Sequence, residues 1–378
     1  MPRRGLRGGI VEQERARIDR LDDRILGLLN QRARVAQRIG RYKARAGAGR
    51  GSAEGFWVPG REKRILERVR ASNKGPLPDA MVQAIFREII SASRALEARL
   101  AVAYLGPEGT FAEAAAREQF GSAVELRPAE SIAQVFQEVE QRHADYGVVP
   151  VENSTEGAVT STLDLLVDSP LRVAAEIMLD VRQCLISRSG SPSEIRRVLS
   201  HPQAIAQCRS WLATHLPDVE VEGVASTSRA AALARADPTT AAVAGRLAAE
   251  RYGLRIVAQD IQDERANVTR FFVLGAADAE SSSGDDKTSV VCTVKDEVGV
   301  LARLLRPLAR ERVSLCKVES RPLRGRPWQY VFFLDLRGHR SDAGVKRALA
   351  QMAPLTTFMK VLGSYPAAGA SAREQACR

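Results

Sequence analysis

The strongest constraint on this chain is a change of period at Leu100. Before it, apolar residues recur every three or four positions; after it, short apolar runs alternate with helical stretches. One layer arrangement cannot serve both patterns, so the 378 residues divide into more than one domain. Residues 12–45 read as one amphipathic helix with Ile18, Leu21, Ile25, Leu28, Leu29, Val35 and Ile39 inward. Gly47, Gly49, Gly51 and Gly55 break it. Pro59 precedes a second helix carrying Ile65, Leu66 and Val69. Asp79 is placed as N-cap of a third, carrying Met81, Ile85, Phe86, Ile89, Ile90 and Leu96. The first expected domain, residues 12–99, is therefore all-α.

Residues 101–276 alternate strand and helix, the pattern of an α/β domain. The run ADAESSSGDD at 277–286 is a polar linker. Residues 287–365 follow the order strand, helix, strand, strand, helix, strand, which is α+β and ferredoxin-like. The Ala/Ser-rich tail after Pro366 is expected to be disordered.

Charge is unevenly placed. Residues 1–99 hold 23 Lys/Arg against 11 Asp/Glu, the rest 33 against 34, so the net +11 sits in the first quarter. Such a block meets nucleic acid, an anionic surface or an anionic small molecule, or only aids solubility. No aromatic interleaving or helix-turn-helix signal accompanies it, which disfavours nucleic acid. No apolar run reaches the ~20 residues of a membrane span, and MPRRGLRGGI lacks the apolar stretch of a signal peptide. The five cysteines (Cys184, Cys208, Cys292, Cys316, Cys377) form no CxxC pair, and there are four histidines. The expectation is a cytoplasmic protein with reduced thiols, no metal, no cofactor and no membrane partner.

Arg15, Arg32 and Lys43 lie on the first helix. Arg32 and Lys43 share a face, about 20° apart, while Arg15 is about 100° away and about 25 Å along the axis from Arg32. One small ligand cannot touch both from one straight helix, so a shared role requires a neighbouring chain. The alternative is a solvated basic face.

In the α/β region, GPEGTF (Gly106–Phe111) sits between strand and helix, where small residues and a helix N-terminus suit an anion. VPVENSTEG (Val149–Gly157) puts Asn153, Ser154 and Thr155 at a strand end. SHPQAIAQC (Ser200–Cys208) sets Ser200, Gln203 and Gln207 around a helix start, and STS (Ser226–Ser228) precedes another helix. NVTRF (Asn267–Phe271) enters the last strand with Thr269, Arg270 and Phe271. These are neutral hydrogen-bonding groups with one evident cation, Arg270. No Ser-His-Asp order or metal cluster is visible, and His201 reads as structural. Singly, each hydroxyl is an ordinary cap or turn residue.

Together these segments resemble known families. Arg15, Leu21-Asp22, Leu28-Leu29, Arg32, Ile39-Gly40, Lys43, Arg61-Glu62, Ser93 and Glu97 resemble the all-helical chorismate mutases. The resemblance implies that Arg15, Arg32, Lys43 and Arg61 hold the carboxylates and ether oxygen of chorismate, with Glu62 on its hydroxyl and Ser93 and Glu97 completing the site. The reaction is a unimolecular rearrangement, so fixed cations that hold the reactive conformer and stabilise charge on the ether oxygen suffice. Val58 and Glu97 depart from some relatives, which carry an acid and a Gln there. Glu97 is expected to act protonated, its pKa raised by burial.

GPEGTF, VPVENSTEG, SHPQ, STS and NVTRF, in that order, closely resemble prephenate dehydratase. The resemblance implies a two-lobed fold like a type II periplasmic binding protein with substrate between the lobes. Thr269 would be the catalytic hydroxyl, donating a hydrogen bond to the leaving hydroxyl. Asn153, Ser154, Thr155, Ser200, Gln203, Gln207, Arg270 and Phe271 would support the substrate, Arg270 as carboxylate partner. Residues 287–365 resemble an ACT domain: Gly299-Val300-Leu301 and Glu319-Ser320-Arg321-Pro322 match its two signature segments, which implies phenylalanine bound between paired domains. The whole implies phenylalanine biosynthesis, with chorismate and prephenate as substrates, phenylalanine as inhibitor, and a homodimer or larger homo-oligomer. Arogenate as substrate, and a ligand-binding regulator without catalysis, remain the alternatives.

Overall fold

The computed structural model describes residues 4–45, 57–264, 266–322 and 330–368. The glycines at 47–55, Trp328, Cys377 and the tail beyond 368 lie outside these.

Three helices precede the first strand: α1 (Arg4–Arg45), α2 (Pro59–Ser72) and α3 (Asp79–Ala95). Pro59 and Glu62 fall in the first turn of α2, where a missing N–H and a negative charge both suit the exposed amides. Asp79 is not the cap of α3. Pro78 holds that position, and the Asp79 carboxylate, one residue inside, accepts from Asn73 Nδ2 (2.6 Å). α1 is about 63 Å long and outruns its neighbours. Its expected core stripe is therefore bare within one chain: Ile18, Leu21, Ile25 (54% exposed), Leu28 (63% exposed), Val35 and Ile39 are all exposed.

The chain then builds a six-stranded sheet, leaves it, and returns. Its order is Glu125–Ala129, Ala101–Leu105, Tyr146–Asn153, Val268–Gly275, Arg172–Asp180, with the short Gly157–Ala158 strand beside Tyr146–Asn153. The first three strands are parallel; the returning Val268–Gly275 strand is antiparallel to both its neighbours. Between departure at Asp180 and return at Val268 lies a second sheet, ordered Arg255–Ala258, Cys184–Ser187, Thr240–Ala244, Arg197–Ser200, Glu220–Gly223. Two crossings of the chain thus join two α/β lobes. The Ile177–Ile186 segment spans parts of two strands, one in each lobe, parted at Val181–Gln183.

Residues 286–366 form a four-stranded antiparallel sheet, ordered Leu315–Pro322, Tyr330–Arg337, Asp286–Thr293, Phe358–Pro366, with two helices on one face. The first strand starts at Asp286, within the expected linker. Buried Val291, Val331, Phe333, Leu362 and Tyr365 of this sheet share one apolar cluster with Val149, Leu166, Val173 and Phe272 of the first lobe. Gly363 allows this close crossing, since a Cβ there would lie 2.2 Å from the Val173 carbonyl oxygen. Among the described residues no helix is long and apolar enough to cross a membrane.

Candidate active sites

In the helical domain, α1 and α3 bring a cluster of charge together. Arg32 Nη1 donates to Ser93 Oγ and to the Ile89 carbonyl (3.3 Å). Lys43 Nζ is 3.9 Å from Glu97 Oε2. Burial and then the positive charge of Arg61 lower the Arg32 pKa, which places Arg61 beside this group. Burial raises the Glu97 pKa even against Lys43, Arg61, Arg32 and Arg94. Glu97 is not on the helix itself; a turn past Ala95 presents it, its N–H bonded to the Arg94 carbonyl (2.8 Å). Gly40 explains how α1 comes so near, because a Cβ there would sit 3.1 Å from Glu97 Cβ and Cγ. Arg15 stays outside: it is exposed on α1 and pairs with Glu12 (3.5 Å). Val58 occupies the cap of α2, its carbonyl accepting the Arg61 and Glu62 N–H groups.

Glu62 is held by two residues that sequence patterning did not single out. Arg94 Nη1 donates to Glu62 Oε1 (2.6 Å) and Trp57 Nε1 to Glu62 Oε2 (3.2 Å). Both are buried against the next domain, which a reading of helix period alone cannot anticipate.

Between the lobes of the second domain lies a cavity of about 520 Å³. Thr269, Asn153, Phe271, Gln203 and Gln207 line it, with Thr110, Phe111, Ser226 and Thr227 from two helix starts. No Arg or Lys lines it among the described residues. Thr110 caps the Phe111–Phe120 helix and Ser226 the Thr227–Ala236 helix, so both helix N-termini open on the cavity.

The hydrogen bonds at its floor have a defined sense. The Thr155 backbone N–H can only donate, and it donates to Asn153 Oδ1 (3.0 Å); the Thr155 hydroxyl donates to the same oxygen (2.6 Å). Asn153 Nδ2 must then face the other way, where it donates to Thr269 Oγ1 (2.8 Å) and Asn267 Oδ1 (2.8 Å). With Oγ1 already accepting, the Thr269 proton is directed to a further acceptor.

Several expected ligands of substrate are elsewhere. Arg270 follows Thr269 on a strand, so its side chain leaves the opposite face. There it is buried, bonded to Glu176 (2.8 Å), Asp335 (2.5 Å) and Tyr365 (3.0 Å), the last two from the C-terminal domain. The expected carboxylate partner is therefore an interdomain tie. Ser200 is buried and donates to the Val243 carbonyl (2.6 Å). Ser154 bridges the Ala266 carbonyl and Val268 N–H, and Thr155 supports Asn153 rather than lining the cavity. The Gly109 N–H of GPEGTF is already taken by buried Glu113 (2.7 Å), so that amide is closed to an external anion. His201, read as structural, does cap the Pro202–Gln207 helix and also borders the cavity. Glu130, Val181 and Gln183 also line the cavity and were missed by sequence reasoning, since they stand outside every motif; Val181 and Gln183 lie in the crossing between lobes.

In the C-terminal sheet, the register Arg321, Val331, Thr293 puts the Glu319–Pro322 segment and the turn after Thr293 at the same sheet end. That turn holds Gly299 at φ 74°, a left-handed conformation that favours glycine, ahead of the helix with Val300 and Leu301. Arg321, expected at a phenylalanine site, instead reaches the first lobe, donating to Asp164 (2.7 Å) and the Thr160 carbonyl (2.7 Å). Four residues back on the same strand face, Lys317 pairs with Glu152 (2.7 Å). No group of metal-ligating side chains occurs among the described residues.

Comparison with known proteins places these domains in families. The family model for chorismate mutase type II matches residues 14–98, that for prephenate dehydratase 102–279, and that for the ACT domain 288–353. The bifunctional chorismate mutase/prephenate dehydratase of Aquifex aeolicus is 44% identical, over 95% of this chain and 98% of that one. Its counterpart in Neisseria gonorrhoeae is 45% identical, over 93% and 95%. Among solved structures, the prephenate dehydratase of Arthrobacter aurescens in complex with L-Phe is 35% identical with a TM-score of 0.65, covering 71% of this chain and 90% of that one. GqqA, described as a novel type of quorum quenching acylase, has the same TM-score at 28% identity, covering 71% and 98%. The shared frame thus hosts differing chemistry, and the full-length relatives decide the matter. With three domains in one order, matched end to end by relatives named for both activities, the chain belongs to the bifunctional chorismate mutase/prephenate dehydratase family.

Proposed function

We propose that the two activities of this enzyme reside in the α1–α3 charge cluster and in the cavity floored by Thr269, and that phenylalanine acts on the second from the ACT domain. Chorismate is a dianion whose rearrangement needs no nucleophile or base. Arg32, Lys43 and Arg61 hold it in the reactive conformer, Glu62 takes its hydroxyl, and protonated Glu97 donates to the ether oxygen as charge grows there. Arg15 joins from the α1 helix of a second copy, whose apolar stripe covers the exposed Ile18–Ile39 face. A homodimer is thus part of the proposal.

Prephenate then loses water and carbon dioxide to give phenylpyruvate. Formation of the aromatic ring drives the reaction, so the protein's work is alignment and help to the departing hydroxide. Thr269 is a poor acid, and its directed proton suits hydrogen-bond donation rather than full transfer. The helix N-termini at Thr110 and Thr227, with Gln203 and Gln207, take the carboxylates in place of a cation. The observation that carries this reading is the Asn153–Thr269 bond, because it makes the threonine oxygen an acceptor there and leaves its proton to donate elsewhere. Feeding chorismate to purified enzyme should give prephenate, then phenylpyruvate. In a Thr269→Ala variant prephenate should accumulate, and phenylpyruvate formed at the native rate would refute the assignment.

Phenylalanine binding near Gly299–Leu301 and Glu319–Ser320 of paired ACT domains is expected to favour a compact, less active population. The Lys317–Glu152 and Arg321–Asp164 pairs give that domain a hold on the strand ending at Asn153 and on the helix following it. Equal dehydratase rates with and without phenylalanine would exclude regulation.

A further inference from the structure

We infer that Arg94 and Trp57 are positioning residues of the mutase site, acting through Glu62, and that the dehydratase domain fixes their geometry by way of Phe120. This rests on the assignment of Glu62 to the substrate hydroxyl.

Glu62 lies in the first turn of α2, where a long side chain has several rotamers. Two donors remove that freedom, one on each carboxylate oxygen: Arg94 on Oε1 at 2.6 Å and Trp57 on Oε2 at 3.2 Å. Each oxygen keeps a lone pair for a substrate hydroxyl. Neither donor is anchored mainly in the helical domain. Trp57 packs in the dehydratase core with Ala112, Ala116, Phe120 and Val148, its ring 4.6 Å from Phe120 and 4.8 Å from Tyr146. The Arg94 guanidinium lies 5.5 Å over the Phe120 ring and donates through Nη2 to the Phe120 carbonyl. Phe120 ends the Phe111–Phe120 helix, whose other end opens on the dehydratase cavity.

Stability alone explains this arrangement poorly. A buried ion pair seldom repays the desolvation of its charges, and here Arg94 Nε is buried with no partner. An apolar residue would make a better strut. What Arg94 supplies is a charge and a fork that hold one carboxylate both ionised and oriented. Burial pushes the Glu62 pKa up; Arg94, then the Trp57 N–H and Arg32, pull against it. Tyr146 lies within electrostatic reach of Glu62, and burial, first, raises its pKa.

The test uses the full chain with Trp57→Phe, Arg94→Lys and Arg94→Met. Trp57→Phe keeps the packing on Phe120 and removes only the N–H. It should raise mutase KM by about tenfold with dehydratase kinetics unchanged. Arg94→Met lets the Glu62 pKa rise further, so Glu62 ionises at a higher pH than in the parent. Placed on Glu97→Gln, which removes the other titration, it should make mutase kcat/KM climb with pH where the Glu97→Gln parent is flat. Arg94→Lys should restore most of the flat profile. A flat profile and native KM in all three would overturn the inference. So would equal losses in both activities with a lowered Tm, which would mark Arg94 as a strut. Glu62→Gln separates the two levels. If it leaves mutase KM unchanged, the assignment of Glu62 itself fails; if it raises KM while Trp57→Phe and Arg94→Met do not, only the positioning role fails.

Discussion

In the proposed reactions Glu97 and Thr269 each act through a proton, and their surroundings differ. Burial raises the Glu97 pKa although Lys43 stands 3.9 Å away. A raised pKa keeps the acid protonated at low pH and surrenders the proton as pH rises through the folded value. Mutase kcat/KM is therefore expected to fall on the alkaline side, and Glu97→Gln should flatten the profile; a pH series on both proteins decides it. For Thr269 the acidity is ordinary and the orientation is what matters. Thr269→Ala should cost about 100-fold or more in dehydratase kcat with mutase intact, whereas Thr269→Ser keeps the donor and should stay within about tenfold. Phenylpyruvate formation from prephenate measures both. The motifs pointed to both residues. They could not separate Thr269 from Arg270, because adjacent residues of one motif face opposite sides of a strand.

At the scale of elements, the sites depend on close approach. Gly40 lets α1 lie against Glu97. Gly40→Val should push the helices apart and cut mutase kcat/KM by at least about tenfold, with dehydratase rates unchanged as the control. The helix periods and the βαββαβ order were legible in the sequence, since each follows from local apolar spacing. The Ile177–Ile186 run was not. Its polar break, Asp180 to Gln183, does not say whether the chain turns within one sheet or leaves it for another.

Across the whole molecule, the Val268–Gly275 strand separates two functions. Thr269 and Phe271 face the cavity, while Arg270 and Phe272 face the ACT domain. Arg270→Met would leave Glu176 with Lys287 and the Ala368 N–H, and Asp335 with the Ser289 hydroxyl, so a loss of about 3–5 kcal/mol in stability is expected. Prephenate KM should change little, in contrast to a residue that binds the substrate; thermal unfolding and steady-state kinetics together distinguish the two. The bare α1 stripe makes the complementary prediction. Ile25→Lys with Leu28→Lys should lower the oligomeric state on gel filtration and abolish mutase activity while the dehydratase persists. The sequence by itself determined the three-domain order, the secondary elements and the residue types each chemistry requires, because periodicity and short motifs are local. Only the tertiary structure decided that Arg270 and Arg321 tie domains together, that Ser200 is buried scaffold, and that Arg94 and Trp57 grip Glu62. Those roles depend on which face meets which neighbour, and residues from Trp57 to Tyr365 become neighbours only once three domains have packed.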